Sequence, residues 1–114
     1  MNNIYSPCLK SSESNYFNLG CWEDKSSRSI PELCNPNCRF KCDHPSYSKR
    51  NDAINKCFEC ARNHGFSVFA LQDGGQCVGG NDVESYKKYG RSDACKSGGK
   101  GGPYANQVYG INRK

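Results

Sequence analysis

No stretch of the 114-residue chain approaches the run of about 18 apolar residues that a membrane-crossing helix needs. The longest apolar segment, Gly65 to Leu71, suits one buried strand, so membrane insertion is not expected. Histidine is nearly missing, with only His44 and His64, and no serine sits in a Gly-x-Ser-x-Gly or comparable nucleophile setting. The 11 acidic residues are scattered, which leaves little for a two-carboxylate hydrolase. Catalysis is therefore not expected. The Gly98 to Gly102 run lacks the final hydroxyl and the spacing of a phosphate-cradling loop, reads as a backbone turn, and implies no cofactor. Asn-x-Ser/Thr does not occur, which removes N-glycosylation. Met1 to Cys8 carries neither a basic n-region nor an apolar h-region, so no signal peptide is visible there.

What the chain does have is cysteine, nine of them, with 12 glycines and a net charge of +5. Its length suits one domain, and apolar residues make up 35%, enough for a single core but marginal for so short a chain. Disulfides supply the missing stability in such domains and persist in oxidising compartments. A secreted protein is expected, its leader replaced by an initiating Met. The odd count leaves at least one thiol free or intermolecular, and a disulfide-linked dimer is one outcome. From Tyr86 onward there are seven cations, including Lys87, Lys88, Arg91, Lys96 and Lys100, against Asp93 alone. Such a bias favours acidic glycans or a cell surface, or simply solvates the domain. No helix-turn-helix, zinc-finger or aromatic RNA-binding pattern accompanies it, so nucleic acid is not expected as a partner.

Residues 1–14 read as a polar arm bearing Cys8, and 15–114 as a single domain. Tyr16 to Trp22 has a strand composition. Residues 26–46 hold three prolines and Cys34, Cys38 and Cys42 at even spacing, and read as a disulfide-held loop. Ala53, Ile54, Cys57, Phe58 and Ala61 fall at three- and four-residue steps, predicting a helix over about 49–64 with Ser48 as N-cap and Gly65 as terminator. Phe66 to Gln72 and Gln76 to Val78 read as a hairpin around Asp73-Gly74-Gly75. Asn81 with Glu84 resembles a capping box opening a short helix to Tyr89, and Ala105, Gln107, Tyr109 and Ile111 alternate into a last strand. The class is α+β: one main helix on a curved antiparallel sheet.

Several segments in order resemble a WSC domain, the cysteine-rich extracellular module of fungal cell-wall stress sensors and Kremen receptors, in a variant like that of marine-invertebrate extracellular proteins. Leu19-Gly20-Cys21-Trp22-x-Asp24 with Arg28 is similar to its start. Cys57, Gly65-Phe66, Phe69 and Gln72-Asp73-Gly74-Gly75-Gln76-Cys77 are similar to its centre. Asn81, Tyr86, Tyr89-Gly90, Ser92, Cys95, Gly101-Gly102, Asn106 and Tyr109 are similar to its end. The chain departs in lacking one cysteine near Cys77, in the three-residue step from Cys57 to Cys60, and in Cys8, Cys34, Cys38 and Cys42. The resemblance implies a PAN/apple-like fold and recognition of glycans or extracellular proteins. It also implies a core built on Cys21, Cys57, Cys77 and Cys95. The remaining cysteines are expected to bridge among themselves, to Cys8 or to Cys60.

Cys34, Cys38, Cys42 and His44 have the ligand types of a zinc site, but three thiols in a chain this rich in cysteine also fit disulfides, which is the preferred reading. Cys57-x-x-Cys60 has redox spacing, yet it falls within the predicted helix, where a structural role fits better. Sugar recognition needs aromatic faces and polar partners. Trp22, Tyr86, Tyr89 and Tyr104 offer faces; Asp73, Gln76, Asn81 and Asn106 offer polar groups near turns. Trp22 beside a core cysteine and Asn81 as a cap have structural explanations too, whereas Tyr86 and Tyr89 are expected to be exposed. Asp73, Asn81 and Asp82 would also suit calcium. The leading expectation is a secreted lectin-like module on a shallow surface, its affinity raised by repetition or dimerisation. The alternative is a cysteine-rich protein-interaction, adhesive/matrix or toxin-like module.

Overall fold

The computed structural model describes residues 15–30, 47–49 and 51–112. The arm and most of the cysteine-rich loop, with Cys8, Cys34, Cys38, Cys42 and His44, lie outside the described residues. Four strands, β1 (Tyr16–Glu23), β2 (Val68–Gln72), β3 (Gln76–Gly80) and β4 (Ala105–Ile111), form one sheet in the order β1-β4-β2-β3, every neighbour antiparallel. One helix, α1 (Ala53–Asn63), packs on β2 and β3. The expected disulfide-rich α+β arrangement is therefore present.

Alternation along the strands sends side chains to two cores, one on each face of the sheet. Phe69 and Leu71 of β2, Cys77 of β3 and Tyr109 of β4 meet Ala53, Cys57, Phe58 and Ala61 of α1. Ala70, Val78 and Val108 point the other way, against Trp22, Ile30 and Tyr86. The apolar stripe read from the helix is the one buried. Aromatic rings tie the first core to β1: Tyr16 lies 5.1 Å from Phe58 and 5.5 Å from both Phe69 and Tyr109. The Tyr109 hydroxyl donates to the Gly99 carbonyl, while burial, aided by Tyr16, pushes its pKa up to about 12.

The helix ends as expected but begins later. Gly65, at φ 77°, closes it with the paired bonds of a Schellman turn: Phe66 N donates to Ala61 O and Gly65 N to Arg62 O. Ser48 is not the N-cap. It lies in a separate 3-10 turn, Tyr47–Lys49, and the chain enters α1 through Asp52 in the left-handed region, where no side-chain cap forms. The predicted capping box is corrected as well. Asp82, not Asn81, accepts from the Glu84 and Ser85 amides, and the segment it opens is a 3-10 turn, Ser85–Lys87. Asn81 instead accepts from the Ser67 hydroxyl.

Cys21 bonds to Cys95 and Cys57 to Cys77, so the four expected core cysteines pair with one another. The first bridge ties β1 to the loop before β4, and the second ties α1 to β3. Cys60 is disulfide-bonded too. Cys57 and Cys60 are therefore not a dithiol pair. Asn112 N donates to Asn15 O at 2.8 Å, so the described chain closes beside its own start.

Candidate functional site

The register places the end of β1, the end of β2, the start of β3 and the start of β4 at one end of the sheet: Glu23 faces Ala105, and Gln72 faces both Gln76 and Asn106. Three loops gather there, after Glu23, around Asp73, and before Ala105. Of the candidate residues, Asp73 and Tyr104 sit on these loops, and Trp22, Gln76 and Asn106 adjoin them on the strand ends. Asn81 does not, because it follows β3 at the opposite end, where Gly80 pairs with Val68. The oxygens of Asp73, Asn81 and Asp82 are consequently separated by the length of β3 and form no shared cation site. Among the described residues, no group of three or more His, Cys, Asp or Glu side chains is placed to hold a metal ion.

Beneath the loops is a buried polar cluster. The Asp24 carboxylate, 1% exposed, accepts from Ser29 N at 2.9 Å, Gln72 Nε2 at 2.9 Å and Arg28 Nη1 at 3.1 Å. Gln72 Nε2 also donates to Asn106 Oδ1 at 3.0 Å, and its Oε1 accepts from Arg28. Asn106, expected as a sugar partner, is 0% exposed and spends its amide on Gln72 and Ser29. Its role is structural: it helps satisfy a polar cluster that would otherwise be costly to bury.

Two of the four aromatic faces are also withdrawn. Trp22 is 8% exposed, donates its indole N–H to Leu19 O and packs edge-on against Tyr86 at 5.1 Å. Tyr86, expected to be exposed, is 7% exposed. Lys87 and Lys88 after it are exposed, but its own ring turns inward onto Trp22. Tyr104 is 54% exposed and is held at φ 48°, an unusual conformation for an aromatic residue. Reciprocal backbone bonds between Gly102 and Ala105, and one from Asp24 N to Tyr104 O, hold it there. Tyr89 is half-buried, with its hydroxyl donating to Ser27 O.

Next to Tyr104 the surface opens into a concavity of about 290 Å³, lined by Ser48, Asp73, Lys96, Ser97, Lys100 and Pro103 with backbone from Gly74, Gly101 and Gly102. That volume is near the lower bound of small-ligand pockets, roughly 300–1,000 Å³. Its floor exists because the glycine-rich loop lies directly on the hairpin: Asp73 N donates to Gly102 O and Gly74 N to Lys100 O. A Cβ on Gly101 would collide with Leu71 O, and one on Gly102 with Ala94 O. Close packing, not freedom of movement, is the use of these glycines. Gln76 is half-buried at the start of β3 and does not line the concavity.

Sequence reasoning missed Ser48, Ser97 and Lys25, and counted Lys96 and Lys100 only as charge. The signal available was the cationic excess after Tyr86, of which Lys96 and Lys100 line the concavity. The cations differ in their partners. Arg28 pairs with Asp24 at 3.1 Å and Lys87 with Glu84 at 3.1 Å, the latter contact holding the lysine above its usual pKa. Both also lie over rings, Arg28 5.5 Å from the centre of Tyr104 and Lys87 5.6 Å from that of Tyr86. Lys25 and Lys88, 5.0 and 5.3 Å from the centre of Tyr89, and Arg91, 4.5 Å from that of Trp22, make ring contacts without an ion-pair partner among the described residues. No protein-family model matches the chain, and no curated protein matches it.

Proposed function

We propose that the chain is a secreted carbohydrate-binding, lectin-like module that recognises extracellular or cell-surface glycans without catalysis, on a WSC-type, PAN/apple-like fold. The observation that carries this reading is the open concavity, whose lining residues combine the hydroxyl-bearing Ser48 and Ser97, the cationic Lys96 and Lys100 and the acidic Asp73. A sugar ring presents adjacent hydroxyls that both donate and accept, and this lining offers both roles. Tyr104, which follows the lining residue Pro103, is exposed and carries the Arg28 guanidinium 5.5 Å from its ring centre, which leaves its opposite face for the C–H side of a sugar ring. The WSC-like order of motifs supports the same reading, and the disulfides fit an oxidising compartment. The protein-interaction alternative calls for a contiguous exposed apolar patch or an intermolecular disulfide through the odd cysteine, which a non-reducing gel reads. Among the described residues, the exposed large apolar side chains are Phe17, Val83 and Tyr104, on three separate segments.

A glycan array spanning neutral and acidic structures, followed by calorimetry on the best binder, tests the proposal. Binding to at least one glycan class is expected. Asp73→Asn and Tyr104→Asn, both tolerant of the left-handed backbone found at these positions, should each weaken it about tenfold, or roughly 1.4 kcal/mol, measured where circular dichroism shows both variants folded. Silence across the array, or full affinity in both variants, would overturn it.

A further inference from the structure

Lys25, Lys88 and Arg91 have no carboxylate partner among the described residues and lie on aromatic rings instead. Those rings are fixed. Tyr89 is anchored through its hydroxyl to Ser27 O, and Trp22 is wedged against Tyr86 with its indole N–H on Leu19 O. The backbone beneath is fixed as well: Glu23 N donates to Gly90 O, Ser92 N donates to Cys21 O, and the Cys21–Cys95 bridge clamps this segment to β1. Two ammonium groups thus converge on one tyrosine ring, and a planar guanidinium lies two residues away in sequence from that ring. All three residues are exposed.

Cations intended only for solubility are ordinarily mobile or paired with neighbouring carboxylates, as Lys87 is with Glu84. Unpaired cations held at fixed positions repel each other, and a bound anion relieves that repulsion. Arginine's fork suits a two-oxygen face such as sulfate or carboxylate, and the ammonium groups supply point charge. Lys96 and Lys100, in the concavity at the same end of the sheet, extend the positive surface.

We infer that the glycans this end of the sheet selects are polyanionic, and that Lys25, Lys88 and Arg91, held on Tyr89 and Trp22, read their sulfate or carboxylate groups. The inference rests on the glycan-binding reading above and narrows it to a chemical class. Selection works through several dispersed charges, so binding is salt-sensitive and improves with the density of charge on the chain.

The test uses the intact, oxidised protein and surface plasmon resonance against immobilised dextran sulfate, polygalacturonate and unmodified dextran, with single-stranded DNA as a soluble competitor. Dextran sulfate is expected to bind at least tenfold more tightly than dextran, and to lose at least tenfold in affinity between 50 and 300 mM NaCl, on the order of the screening of exposed charges. Polygalacturonate distinguishes carboxylate from sulfate recognition: equal binding assigns both groups, and weak binding assigns sulfate. K25Q/K88Q should lose about fivefold and K25Q/K88Q/R91Q at least tenfold on dextran sulfate, while K87Q stays within twofold. The salt response of the unaltered protein and the double variant keep the question decidable if the triple variant fails to fold. Equal affinity for dextran and dextran sulfate would overturn the inference and leave the glycan reading standing. Neutral and sulfated glycans both failing, on this surface and on an array, would overturn the two together. DNA competing as effectively as soluble dextran sulfate would assign general polyanion binding and overturn selection for glycans.

Discussion

Asp24 accepts three hydrogen bonds from a position with no solvent access, one from the Ser29 amide, one from Gln72 and one from Arg28. Removing it would strand the buried Ser29 N–H and take one partner each from Gln72, which keeps Asn106, and from the half-covered Arg28 guanidinium, which keeps Gln72. Asp24→Ala is expected to cost about 1–3 kcal/mol, the range for leaving a buried donor unsatisfied, because the remaining Arg28 charge reaches solvent; the cost is read as a lower urea midpoint at unchanged slope. The same cluster explains why Asn106 could not be placed from sequence. Its partners Gln72 and Ser29 stand 34 and 77 positions away, and a polar residue near a turn gives no local sign of burial. Tyr86 misled for a related reason. Lys87 and Lys88 beside it point to solvent, while the ring that removes it from solvent, Trp22, belongs to another strand.

Elements announced themselves wherever a local period or a glycine sufficed. The apolar spacing of Ala53, Cys57, Phe58 and Ala61, and the terminator Gly65, are properties of one helix and its end, and both were legible. The start of α1 was not, since Asp52 breaks the run with a left-handed conformation that composition does not reveal. The glycine-rich loop was legible as a turn, but not as the floor of a concavity, because that depends on where the β2–β3 turn lies. Its glycines can be separated by experiment. Gly101→Ala forces a Cβ onto the Leu71 carbonyl at φ +77°, and should cost roughly 3 kcal/mol or more from clash and strain combined. Gly98, at φ +102° with nothing within 4 Å of such a Cβ, faces strain alone, and Gly98→Ala should cost about 1–2 kcal/mol. Thermal unfolding of the two variants reads the difference.

Across the whole molecule the two assigned disulfides close loops of very different length, with sequence separations of 74 for Cys21–Cys95 and 20 for Cys57–Cys77. Loop-closure entropy then predicts a loss of about 4–5 kcal/mol for the double Cys→Ala variant of the first and about 3 kcal/mol for the second. Chemical denaturation of each double variant checks the order, and reversal would show that core packing around Cys57 outweighs chain entropy. Their location has a further consequence. Because Asn15 and Asn112 meet at one end of the sheet, anything attached through the two ends of this fold sits opposite the loops that carry the concavity and the cations. Tension applied at those ends would unzip β1 from β4 one rung at a time, a mechanically weak geometry. The tear would stop at Cys21, where the load passes onto a covalent bond to Cys95. Under such a load the fold would lengthen at its attached end and then meet a covalent stop, with the loops at the far end of the sheet beyond the last peeled rung.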